Sequence, residues 1–159
     1  MKAATISEIK KELNQRSPKE LVEYCLTLAK FKKESKELLT YLIYEKQNEA
    51  SYIQSVKREI DQQFEEVNRK NYWVIKKGVR KILRNMKKYI RYSKRKDTEV
   101  ELLIYFCKKL KRFTPTIKSS TVLTNIYNRQ IEMVRKKLPA LEEDLQYDFG
   151  VELEEMLSI

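Results

Sequence analysis

Residues 76–96 read KKGVRKILRNMKKYIRYSKRK. Eleven of these twenty-one positions are Lys or Arg and none is Asp or Glu. Cationic side chains at this density are suited to holding a polyanion by its charges. On a helix, like charges four residues apart repel, costing about 0.2–0.5 kcal/mol per pair. A plainly solvated face relieves that repulsion with interspersed Glu, as residues 1–66 do with 12 basic and 12 acidic side chains. Residues 67–96 carry 13 basic side chains and no acidic one, so an anionic partner is expected.

Composition closes off several other chemistries. The 159 residues include no His, which removes the usual general base near neutral pH and the commonest transition-metal ligand. Cys25 and Cys107 are two fewer thiols than an all-thiolate zinc site needs. Each lies in an apolar helical stretch, EYCLTLA and IYFCKKL, and the expectation is two reduced, buried thiols. Gly78 and Gly150 are the only glycines, too few for a phosphate-cradling loop. No catalytic residue, metal ligand or cofactor is assigned, and a binding module is expected rather than an enzyme.

The elements that must carry the cations are helices. Apolar residues make up 42% of the chain, enough for a core, while 2 Gly and 3 Pro are too few for the turns of a sandwich or barrel. The expected fold is one all-α domain over residues 1–159. Seven or eight antiparallel helices would stack as hairpins, in a HEAT-like α-solenoid or an irregular bundle. Thr5 with Glu8, and Ser17 with Pro18 and Glu20, mark two helix starts. Leu21, Tyr24, Cys25, Leu28 and Phe31 form an apolar stripe on the second helix, and Leu38, Leu39, Leu42 and Ile43 one on a third. A fourth helix is predicted over 49–67, a fifth over 74–92, a sixth capped by Thr98 and Glu101, a seventh over 120–137, and a last one opened by Pro139. The sixth is apolar almost all round and belongs at the centre of the fold.

Residues 20–31 (ELVEYCLTLAKF) resemble 101–113 (ELLIYFCKKLKRF), and 39–47 resemble 123–130. The offset is near twice the period of HEAT-type repeats, about 40–47 residues, so a middle hairpin would fill the gap.

On a wheel of about 100° per residue, the fifth helix divides cleanly. Ile75, Val79, Ile82, Leu83, Met86, Tyr89 and Ile90 share one face. Lys76, Lys77, Arg80, Lys81, Arg84, Lys87, Lys88 and Arg91 share the other, followed by Lys94, Arg95 and Lys96. Trp73 falls inside the cationic face if the helix includes it, where an indole could stack on an unpaired base. If it precedes the helix, it packs into the core. The favoured partner is nucleic acid, held mainly through its phosphates. The alternative is an acidic protein segment, including a homo-oligomer that pairs the basic helix with the acidic C-terminal one. That helix, with Glu142, Glu143, Asp144, Asp148, Glu152, Glu154 and Glu155, could also cover the basic helix within one chain. Its seven carboxylates cannot offset thirteen cations, so positive surface should remain. A membrane partner ranks low, because the apolar face is needed for packing. MKAATISEIKK has no apolar stretch after Lys2, and LLIYFC (102–107) is far short of the roughly 20 residues of a membrane span. A soluble, cytoplasmic protein is expected.

The stretches FKKESKELLTYLIYE, KKYIRYS, ELLIYFCKKLK, STVLTNIYNRQ and EDLQYDF resemble a family of uncharacterised bacterial all-helical proteins. The resemblance implies an all-α fold and brings no activity or cofactor. The expected architecture is also loosely similar to HEAT-like repeats, including those of DNA alkylation glycosylases, which bind DNA on a basic concave face. That likeness is one of architecture alone. TISEIKKELNQRSPKELVEY is faintly similar to the SAP-type helix-loop-helix motif.

Overall fold

The computed structural model describes residues 1–158. It is all-α: eight α-helices, one π-helical turn and two 3-10 turns, with no strand among the described residues. None of these helices is long and apolar enough to cross a membrane. The chain divides into two compact units, Met1–Glu45 and the residues from Lys46 onward.

The first unit contains α1 (Ile6–Leu13), α2 (Pro18–Phe31) and α3 (Lys33–Thr40), then a π-helical turn over Tyr41–Glu45. Both capping boxes predicted for this unit are present. The Thr5 and Ser17 hydroxyls accept from the Glu8 and Glu20 amides, and each Glu reaches back to the cap amide. Those amides hold the Glu8 and Glu20 carboxyls below the ordinary value. α2 turns sharply into α3 at Lys32, the only residue between them, which is extended at φ −142°, ψ 149°. The α2 stripe is not core. Tyr24, Leu28 and Phe31 are exposed, and no residue of α1, α2 or α3 is buried. Cys25, expected buried, is exposed with them. Periodicity establishes which residues share a face; what covers that face depends on partners far off in sequence.

The second unit holds α4 (Glu49–Glu65), α5 (Tyr72–Ser93), α6 (Lys96–Lys111), α7 (Thr121–Lys137) and α8 (Glu143–Ser158). Several contacts between alternate helices recur at separations of 44 to 46 residues. Lys57–Glu101 and Tyr105–Asp61 join α4 to α6 across 44 residues. Lys108–Glu152 and Lys111–Met156 join α6 to α8 across 44 and 45. Lys87–Met133 joins α5 to α7 across 46. Thus α4, α6 and α8 run parallel in one layer, with α5 and α7 parallel in a second. Helices stacked in this way are consistent with an all-α bundle or solenoid.

α6 is the centre, packed against α4, α5, α7 and α8. Val100, Leu102, Leu103, Ile104, Phe106, Cys107 and Leu110 are fully buried. The Phe64 ring stands 5.7 Å from Phe106 and 6.0 Å from Phe113. Burial pushes the Cys107 thiol up to about 12, so it stays protonated and inert. Two predicted helix starts are corrected. α6 begins at Lys96 with Arg95 as its cap, and the Thr98 hydroxyl is buried, donating to Glu49 Oε1 at 2.7 Å. Ser93 donates to the same carboxylate, so Glu49 pins the start of α4 to the α5–α6 corner. Pro139 sits in a 3-10 turn, Leu138–Ala140, and α8 starts at Glu143.

Candidate nucleic-acid interface

α5 is 22 residues, about 33 Å of helix at 1.5 Å rise per residue. The Asn71 side chain caps it, accepting from the Val74 amide at 3.0 Å. It starts two residues earlier than the apolar period indicates, because a polar cap and two aromatics extend it. Ile75, Val79, Ile82, Met86 and Ile90 are buried. Burying such side chains contributes about 1.5–3 kcal/mol each, which outweighs the repulsion among the cations. A polar seam fixes α5 to α4: Tyr52 Oη donates to the Tyr89 carbonyl at 2.8 Å, and Tyr89 Oη donates to Glu59 at 2.9 Å. Gly78 lets the chain after α4 come close, since a Cβ there would stand 3.2 Å from Val67 Cγ1.

The opposite face is wet. Lys77, Arg80, Lys81, Arg84 and Arg91 are exposed, while Lys76, Lys87 and Lys88 are half-buried at its flanks. Lys76, Lys77, Arg80, Lys81, Arg84, Lys87 and Arg91 make no ion pair with any carboxylate among the described residues. Lys88 lies over the Tyr89 ring at 4.8 Å. Trp73 belongs to the helix and is 60% exposed, so it does not pack into the core. The Lys77 ammonium lies 3.4 Å from the centre of its ring.

Residues 94–96 form the corner between two helices. Lys94 closes α5 in the left-handed region at φ 59°, Arg95 caps α6 and Lys96 is its first residue. Arg95 donates to both Asp97 oxygens, at 3.1 and 2.6 Å, which holds the Asp97 carboxyl below its ordinary value. Lys94 and Lys96 are exposed.

The acidic α8 does not cover this ridge. It packs on α6, with Glu152 paired to Lys108, and none of its described carboxylates pairs with α5. Glu142, Glu143, Asp144, Asp148, Glu154 and Glu155 face solvent.

An open groove of about 740 Å³ runs between α5 and α7. Arg80 and Lys87 stand on one wall, Arg129 and Lys136 on the other. Sequence reasoning missed the two α7 cations. They lie seven apart, on one stripe of α7, but that stripe matters only once α7 lies alongside α5. Glu132, the one carboxylate of the groove, is paired with Arg135 at 2.9 Å.

No protein-family model, curated protein or solved structure matches the chain.

Proposed function

We propose that this chain is a non-enzymatic, cytoplasmic binding module that holds nucleic acid by its phosphates along α5. The observation that carries the reading is the row of seven α5 cations, Lys76 to Arg91, without carboxylate partners among the described residues. Their mutual repulsion is relieved by a polyanion, whose displaced counterions supply the driving force. An exposed indole beside them adds a stacking surface.

Fluorescence anisotropy with labelled oligonucleotides at 50–200 mM salt tests this. With about six phosphates engaged, log K against log salt should slope roughly −5 on duplex and −4 on a single strand. The double variant Arg84→Glu/Arg91→Glu should weaken binding at least tenfold while the fold survives. Absence of binding at low salt would refute the reading. A second reading follows from the exposed α8 carboxylates, which could seat on the α5 ridge of another copy. Salt-sensitive dimers in light scattering, abolished by Asp144→Lys/Asp148→Lys, would favour it. Charge reversal suits that test better than deleting α8, because Phe149, Leu153 and Met156 are buried.

A further inference from the structure

We infer that the ligand is a single strand, threaded along the groove between α5 and α7, with Trp73 stacking a base at its entrance. This rests on the phosphate-binding reading above and specifies which nucleic acid and which path.

The first support is the placement of charge on both walls. The Lys87–Met133 contact sets α5 against α7 with a register of 46 residues. Arg129 then lies level with Leu83, and Lys136 level with Ile90. Moving down the groove, the cations alternate from wall to wall as Arg80, Arg129, Lys87 and Lys136. Successive ones are separated by three or four residues, about 5 Å of helical rise. Charges that converge from two sides on one line suit one backbone. A duplex, a thick cylinder with two backbones, would rest on the outer tips of the ridges and leave the half-buried Lys87 unused.

The second support is aromatic. Trp73, Arg80 and Lys87 fall on one stripe at steps of seven residues, about 10.5 Å each. The exposed indole thus lies on the same stripe, two turns beyond Arg80, with one ring face against the Lys77 ammonium and the other open. An unpaired base can lie on it, whereas a base inside a duplex is already stacked on both faces.

Trp73 is the sole tryptophan, so its emission reports on the site directly. Titration with a 15-nucleotide oligo(dT) or oligo(rU), and with a mixed-sequence duplex of equal length, should show quenching and tighter binding for the single strands at 0.1 M salt. Arg129→Ala/Lys136→Ala should weaken single-strand binding about tenfold and flatten its salt slope by roughly 1.4. Trp73→Ala, followed by anisotropy, should weaken it about fivefold or more. All three side chains are exposed, and circular dichroism confirms folding of the variants. Equal or tighter duplex binding overturns the inference. So does an α7 variant that binds like wild type while Arg84→Glu/Arg91→Glu does not; the ridge reading would then stand without the groove. Displacement of the strand by poly-glutamate at equal charge also overturns it, in favour of an acidic protein. Failure to bind any nucleic acid removes this inference together with the reading beneath it.

Discussion

α5 and α6 are consecutive helices joined at a tight corner, both carry several cations, and they use them in opposite ways. On α6, Lys108 pairs with Glu152 of α8 and Lys109 with Asp61 of α4, while Glu99 and Glu101 receive Lys137 and Lys57. Lys111 donates to the Met156 carbonyl. These charges sit at the edges of a buried helix and connect it to three neighbours. On α5, seven cations make no such pair among the described residues. Positive charge by itself is therefore no sign of an interface in this molecule. The proposed interface rests instead on positive charge that the fold leaves unmatched.

The sharpest way to break this comparison is to injure each helix where it should matter least to the other's task. Leu103→Ala empties a fully buried site on α6 and should cost about 3–5 kcal/mol in urea unfolding. If the remaining folded protein binds oligonucleotides as well as wild type does, core and ridge are separable, as proposed. A smaller effect is expected at the α4–α6 seam. Tyr105 Oη donates to Asp61 at 2.8 Å, and burial together with that carboxylate pushes its phenol up to about 12. Tyr105→Phe should cost about 1–2 kcal/mol at neutral pH. Because the folded value is raised, this stabilisation is fully present below about pH 10 and lost as the pH climbs towards 12. The variant's stability should accordingly converge on that of wild type over that range, as followed by thermal melts. The smallest effect is expected on the ridge. Arg84→Glu removes repulsion with Arg80 and Lys88 and should leave stability unchanged or raise it by up to about 0.5 kcal/mol. A loss above 1 kcal/mol would show that Arg84 is structural and that the contrast between the helices is false.

Much of α5 was legible in the sequence because its signal is local. Ile75 to Ile90 repeat at helical spacing, and the cations fill the complementary arc, so the two faces follow from geometry alone. α6 was legible for a similar reason: a stretch with no polar face must be surrounded. The α2 stripe has nearly the same local pattern as α6, yet Leu28 and Phe31 are exposed. Likewise Cys25 is open to solvent while Cys107 is buried. Those differences depend on which helices come to lie alongside, which spacing does not encode. Trp73 was ambiguous because its fate turned on where α5 begins, and Asn71 settles that by capping. Thr98 reads as a cap from its spacing to Glu101, but a carboxylate 49 residues away claims its hydroxyl. Arg129 and Lys136 became candidates only when the 46-residue register brought α7 alongside α5.

The corner at Lys94–Arg95 leaves no slack between α5 and α6. Neighbouring helices on either side of it are tied by Glu49 and by the α4 seam, so the cationic wall has little room to rearrange. A ligand that docks there meets a surface already in its final shape and forfeits little conformational freedom of the protein. Association should then be governed by diffusion and long-range attraction, with a rate constant that falls steeply as ionic strength rises and no slow isomerisation after encounter.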